Sequence, residues 1–127
     1  MPTNKRQVVG AYAANDNNYL IPGFQYQQAS TPIPRNYSTT AQPDADLMWL
    51  TGYQSVNNHI YLGNSKQSVA DATLKSSEYK GNQHNNIYHP GAITANTHYY
   101  WRIDSVKADG TVVKGNIWQF KRDVKPL

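Results

Sequence analysis

The chain has 127 residues and no cysteine, so disulfide bonds and thiolate metal sites are excluded. It has no apolar run of the ~20 residues that a membrane-spanning helix needs, so no membrane partner is expected. The net charge of +4 is carried by residues 1–10 and 121–127, while residues 11–120 are neutral. A nucleic-acid interface would need a basic patch on a folded face, so we expect no nucleic-acid partner. Ten Tyr and three Trp beside a single Glu favour strands over helices.

Residues 1–28 differ in pattern from the rest of the chain. Val8-Val9 and Tyr19-Leu20-Ile21 are short apolar runs, and Pro22-Gly23 marks a turn. The first ten residues lack the apolar run of a secretory signal. We interpret 1–28 as an N-terminal extension, or the end of a preceding region, that is partly ordered against the domain because its apolar residues do not suit a free linker.

From residue 29 onward, short strands alternate with turns. Asp109-Gly110 is a strong hairpin signal, and residues 69–74 could form one helical turn. This spacing predicts an all-β antiparallel sandwich of about seven strands over 29–121, followed by a C-terminal tail, 122–127. The predicted strands are 29–34 (an edge strand, because it contains Pro32 and Pro34), 47–50, 58–62, 78–80, 86–89, 99–106 and 111–121.

Period-two alternation assigns the faces of the strands. On the long strand, Tyr99, Trp101 and Ile103 share one face, which must point inward because Arg102 and Asp104 share the other. The same reasoning places further side chains in the core: Leu47, Trp49, Ile60, Leu62, Trp118 and Phe120.

Several segments resemble those of bacterial fibronectin type III-like domains, which have the immunoglobulin-like fold. The matching segments appear in order over residues 29–121: Pro32 and Pro34, Leu47-Met48-Trp49, Ile60-Tyr61-Leu62-Gly63, Tyr79-Lys80-Gly81-Asn82, Tyr88-His89-Pro90-Gly91, Tyr99-Tyr100-Trp101-Arg102-Ile103-Asp104, Gly110, Gly115 and Trp118-Gln119-Phe120. The resemblance implies that Tyr99 is a tyrosine-corner residue, whose hydroxyl bonds to upstream backbone.

The residue types argue against catalysis and cofactors. A glycosidase needs a pair of carboxylates, and the Asp residues here mostly stand beside turns. The histidines His59, His84, His89 and His98 lack the close spacing of metal ligands. We therefore predict that the domain is not an enzyme and that it has no metal site and no cofactor.

The candidate binding site is the outward face of the long-strand sheet. With the family strand order it would bring together aromatic, cationic and amide groups, which can stack on sugars, pair with anionic groups and bond hydroxyls. The alternative is that this face is plain solvated surface or packs against residues 1–28 or a neighbouring domain. The candidate ligand-binding residues are His59, Tyr61, Tyr100, Arg102, Gln119 and Lys121.

The resemblance implies a secreted or cell-surface location as part of a larger, often polysaccharide-degrading protein. The expected function is an accessory module that binds or positions a polysaccharide weakly, and Arg102 and Lys121 would favour an anionic one. A structural spacer or domain-docking module without a ligand is the alternative, and a surface-adhesion module is a third. Neighbouring domains of the parent protein are the expected partners in the second case.

Overall fold

The computed structural model describes residues 25–125, which form two antiparallel β-sheets packed as a sandwich. The prediction that part of 1–28 is ordered against the domain falls largely on residues 1–24, which lie outside the described residues. The predicted tail also ends outside them, at residues 126–127.

The predicted elements are found in the predicted order. The strand 47–50 has the predicted bounds, whereas the helix begins three residues earlier than the predicted helical turn. The elements are β1 (Ser30–Ile33), β2 (Leu47–Leu50), β3 (Ser55–Gly63), α1 (Lys66–Asp71), β4 (Tyr79–Gln83), β5 (Ile87–Tyr88), β6 (His98–Lys107), β7 (Val112–Val113) and β8 (Ile117–Lys121).

The smaller sheet has the strand order β1-β2-β5, and the larger one has the order β4-β3-β6-β7, with β8 also paired to β6. The position of β1 at an edge agrees with Pro32 within the strand and Pro34 directly after it. The returning strand, predicted as one piece, is divided into β7 and β8 around Gly115. A Cβ at Gly115 would overlap the backbone carbonyl oxygen of Ile103, so only glycine lets the two strands approach this closely.

The core between the sheets contains the residues that alternation placed there. Trp101 is fully buried and has Trp49 and Trp118 as edge-on neighbours, at centroid distances of 6.1 and 4.8 Å. The buried cluster comprises Ala29, Ala41, Leu47, Trp49, Ile60, Leu62, Ile93, Trp101, Ile103, Trp118 and Phe120. The inward assignment of the long strand is therefore confirmed.

The hydroxyl of Tyr99 accepts a hydrogen bond of 2.8 Å from the backbone N–H of Thr94, five residues upstream. A hydrogen bond between the Tyr99 hydroxyl and upstream backbone is the contact that we expected for this residue. The Tyr99 ring is partly buried and stacks on Phe120 at 5.2 Å, so it fixes the turn before β6 to the edge of the core.

Asn58 links the two sheets from within. Its side-chain oxygen accepts from the indole N–H of Trp49 at 3.1 Å, and its amide nitrogen donates to the carbonyls of Gln83, His84 and Asn85. Burying an amide whose oxygen and nitrogen are both hydrogen-bonded costs little free energy, whereas an apolar residue there would remove the bond to the Trp49 indole and the bonds to the three carbonyls.

Candidate functional site

The candidate site is the outer face of the five-stranded sheet, which is formed by alternate residues of β3, β6 and β8. The register places Tyr61 opposite Arg102, Tyr100 opposite Gln119, and His98 opposite Lys121. The chemistry expected from the sequence is therefore present on one face. The segment between β3 and β4, which contains α1, crosses part of that face.

The helix α1 begins where a serine can cap it. The Ser65 side chain accepts from the backbone N–H of Ser68 at 3.2 Å, satisfying one free donor of the first turn. Val69 is fully buried and, with Ala72, packs on Tyr61. Because six residues are too few for a helix to be stable alone in water, this contact with the sheet must hold α1 in place.

Arg102 provides the polar part of that contact. Its Nη1 donates to the carbonyl oxygens of Val69 and Ala70 at 2.6 and 3.2 Å, and its Nη2 donates to that of Ala72 at 3.3 Å. These carbonyls lie at the C-terminal end of α1, where a cation is favoured, and that of Val69 also accepts from the backbone N–H of Ala72. Lys114 also donates to the Ala70 oxygen, at 2.9 Å.

The charge of Arg102 is balanced within the fold. Nε and Nη2 donate to the two carboxylate oxygens of Asp104 at 2.8 and 3.0 Å, and the guanidinium carbon lies 4.0 Å from the centre of the Tyr61 ring. Arg102 and Asp104 are 3% and 5% exposed. Neither charge is available to a ligand unless α1 moves away.

Burial also raises the pKa values of two tyrosines on this face, Tyr61 and Tyr79. Desolvation, followed by the nearby Asp104 carboxylate, raises the pKa of Tyr61 above its ordinary value of 10.0, although Arg102 opposes the shift. Desolvation likewise raises the pKa of Tyr79, whose hydroxyl lies 2.9 Å from Nδ1 of His59. Both tyrosines therefore stay neutral well into the alkaline range.

Among residues 25–125, one end of the face is partly open to solvent, with His98 exposed and Tyr100, Gln119 and Lys121 half-buried. His98, Tyr100, Gln119 and Lys121 form what we call the open strip, in which the rings of His98 and Tyr100 stack at 6.2 Å. Lys121 pairs with Asp123 at 3.2 Å and is only partly exposed. The strip offers an aromatic face, an amide and a cation.

The six residues predicted as a ligand-binding surface therefore fall into three groups. The expectation that Tyr61 and Arg102 face solvent is wrong, because Val69 and Ala72 cover them. His59 is half-buried against Tyr79. The remaining members lie in the open strip: Tyr100, Gln119 and Lys121. The alternative of a packed face holds for the middle of the sheet, although the packing segment is 66–72 within the domain.

Two residues of this face were missed by the sequence reasoning. His98 shares the face of Tyr100 by the same alternation, so its place in the strip was open to prediction. Asp104 was assigned outward, but its role as the partner of Arg102 was not recognised. Residues i and i+2 on a strand share a face, and this spacing was the available signal.

Elsewhere in residues 25–125 we find no better candidate for a ligand or metal site. A shallow hollow of about 170 Å³ lies beside β1 and is lined in part by Tyr26 and Trp118, which is below the roughly 300–1,000 Å³ of typical ligand pockets. No three His, Asp or Glu side chains come together as a metal site in this part of the chain. No helix within it has the length and hydrophobicity to cross a membrane.

The fold and this face define an all-β sandwich whose larger sheet is partly covered by a segment of its own chain. The sequence matches no protein-family model and no curated protein.

Proposed function

We propose that the domain is a non-catalytic accessory module, of the fibronectin type III-like kind, in a larger secreted bacterial protein that acts on polysaccharides. Within that protein it serves as a structural spacer or docking module. The observation that carries this proposal is the Arg102 anchor. The side chains that most suggested a binding surface instead hold α1 against the sheet through buried contacts.

The topology supports the finer fold assignment within this proposal. If β7 and β8 are counted as one interrupted strand, since both pair with β6, the described residues contain seven strands in sheets of three and four. This is the architecture shared by immunoglobulin-like and fibronectin type III domains. The hydrogen bond from the Thr94 N–H to the Tyr99 hydroxyl supports the same assignment.

A spacer needs a rigid body with well-defined ends. The loop before β2 supplies rigidity at the open side of β8: the Tyr37 N–H donates to the Gln119 carbonyl at 2.7 Å, and the Lys121 N–H donates to the Ser38 carbonyl at 2.8 Å. Much of the edge of the larger sheet is thereby bonded within the chain. A sheet edge that is already paired does not invite further strands.

Weak carbohydrate binding is the second candidate, and the open strip is the observation that favours it. The Tyr100 ring could stack on a sugar, and the Gln119 amide could bond its hydroxyls. Lys121 would favour an anionic chain, but its charge is partly neutralised by Asp123 and screened by salt. Because the strip is small and flat, binding would be weak and would depend on avidity in the parent protein.

Affinity electrophoresis of the domain in gels that contain anionic or neutral polysaccharides separates the two candidates. The spacer proposal expects unchanged mobility in every gel. Retardation that disappears in Tyr100→Ala and persists in Tyr53→Ala, an exposed tyrosine of the β2–β3 turn, would contradict it and establish binding at the strip. Arg102 should not be substituted in this test, because its loss would disturb the fold.

A further inference from the structure

The chain continues past β8 in a short segment, residues 122–124, that is hydrogen-bonded on both sides and that we call the exit arm. On one side, the Asp123 N–H donates to the carbonyl of Thr39 at 2.9 Å. On the other side, the Asn96 N–H donates to the carbonyl of Arg122 at 2.8 Å. Residues that follow the last strand of a domain are usually poorly ordered unless something ties them down. These bonds therefore extend the order of β8 beyond its last residue.

The side chain of Asn96 pairs with the arm as a neighbouring strand would. Its oxygen accepts from the Val124 N–H at 2.9 Å, and its nitrogen donates to the Val124 carbonyl at 3.3 Å. Two residues of a hydrogen-bonded antiparallel pair exchange the same two kinds of bond. An amide supplies the acceptor and the donor at once, whereas a carboxylate would only accept. Asn96 therefore engages both backbone groups of one residue in the arm.

The turn that carries Asn96 is itself firmly held. Asn96 has a left-handed backbone, with φ of 57°, which asparagine adopts more readily than most residues. Before it, Ile93 is buried and its N–H donates to the carbonyl of Pro43 at 2.9 Å. The Thr94 N–H donates to the Tyr99 hydroxyl at 2.8 Å. Asn96 thus meets the arm from a support that is anchored in the core.

Burial of side chains contributes little to the hold on the arm. Val124 is 46% exposed, and Asp123 is exposed as well. Arg122 is half-buried, and its Nε donates to the carbonyl of Ile93 at 3.0 Å. The direction of the arm is therefore set by hydrogen bonds, and three of them are made by Asn96.

We propose that Asn96 is a positioning residue that fixes the direction in which the chain leaves the sandwich, so that a neighbouring domain attached through the exit arm is held at a set orientation. The fixed arm is a property of the domain itself. Its use to orient a neighbour rests on the spacer function proposed above, and it supplies the means by which such a spacer controls geometry.

Spin labels test the direction of the arm, because the chain has no cysteine of its own to react. One label is attached at Lys125→Cys, directly after the arm, and the other at Val112→Cys on β7, in the full chain. The partners of Val112 and Lys121 on β6 are Val106 and His98, about 27 Å apart along the strand. Pulsed electron paramagnetic resonance then gives the distribution of distances between the two labels, and its width reports how far the arm moves.

We expect a narrow distribution in this labelled pair, and one at least about twofold broader when Asn96→Gly is added, because the arm is then no longer tied down. Glycine keeps the left-handed backbone without strain, so this variant removes only the side chain. Asn96→Asp keeps the acceptor for the Val124 N–H but loses the donor, so its width should lie between the two. Asn116→Ala, at an exposed asparagine directly before β8, is the matched control and should leave the width unchanged.

A second labelled pair, Asn82→Cys with Val112→Cys, lies within the sandwich and detects general loosening of the fold. If Asn96→Gly broadens this pair as well, Asn96→Asp decides by the same criteria. The proposal is overturned if the distribution for the arm stays narrow without the Asn96 side chain, or if it is already broad with it. The polysaccharide gels test the spacer function separately, since binding at the open strip would contradict that function and leave the fixed arm standing.

Discussion

Arg102 and Asp104 stand two residues apart on β6 and form a two-pronged ion pair, with N–O distances of 2.8 and 3.0 Å, in which both side chains are almost wholly buried. The pair connects three parts of the fold. Arg102 also donates to the end of α1, and Asp104 also accepts from the backbone N–H of Gly115 at 3.0 Å. The charges of Arg102 and Asp104 therefore hold parts of the fold together.

Arg102→Ala should destabilise the domain by about 3–5 kcal/mol, because it leaves the Asp104 charge buried without its partner. Urea denaturation followed by tryptophan fluorescence measures the loss. Lys121→Ala is the control: its pair with Asp123 is largely solvated, so it should cost no more than about 1 kcal/mol. Equal losses in the two variants would mean that the Arg102 pair carries no special role.

Removing both charges should be less harmful than removing one. In Arg102→Met with Asp104→Asn, no buried charge is left unpaired, and the Asn oxygen can still accept from Gly115. We expect this double variant to be more stable than Arg102→Ala in the same urea experiment. A double variant that is less stable would show that the carbonyl contacts to α1 outweigh the burial of the charge.

Trp101→Ala should cost about 3–5 kcal/mol, because the residue is fully buried between Trp49 and Trp118 and its removal leaves a large cavity. Such a loss threatens a domain of ordinary stability. Tyr37→Ala, at a site that is 68% exposed, should change stability by less than about 0.5 kcal/mol. Thermal or urea melts of both variants check this, and a stable Trp101→Ala would contradict the core assignment.

Gly115→Ala should destabilise the domain by at least about 1–3 kcal/mol, because the added methyl group has no room beside the Ile103 carbonyl. The loss should be accompanied by faster amide exchange in β7, as the hairpin separates from β6. Asn116→Ala, at the exposed neighbouring position, should stay within about 0.5 kcal/mol of wild type. Similar values for the two variants would show that the backbones can move apart freely.

The raised pKa of Tyr61 predicts a loss of stability in alkali. In the unfolded chain the hydroxyl ionises near its ordinary pKa of 10.0, whereas in the folded protein it holds its proton to higher pH. Its contribution is therefore complete below about pH 10 and is lost as the pH rises through the folded pKa. Tyr61→Phe keeps the ring under Arg102 but removes the ionisation.

We therefore expect the free energy of unfolding to fall less steeply above about pH 10 in Tyr61→Phe than in wild type. Because the pKa of Tyr79 is also raised by burial, adding Tyr79→Phe should reduce the slope further. Urea melts across this pH range provide the measurement. Identical slopes in all three proteins would show that neither tyrosine is responsible.

The local pattern of the sequence determined the strands and the inward faces of the sandwich. Alternation is a property of neighbouring residues on a strand, so Trp101 and Ile103 could be placed in the core without knowledge of the partner sheet. Gly115 was recognised only as part of a motif. Its physical reason, the close approach to Ile103, depends on a residue twelve positions earlier and on the pairing of two strands.

Only the tertiary structure decided which outward side chains meet solvent. Arg102 and Asp104 point away from the core, and a charged pair on an outer face is ordinarily solvated. Here the pair is buried because Val69, 33 residues earlier, brings α1 over it and supplies carbonyl acceptors for the guanidinium. The sequence near Arg102 could not predict that contact, because the guanidinium and its carbonyl acceptors meet only when the segment between β3 and β4 folds across the sheet.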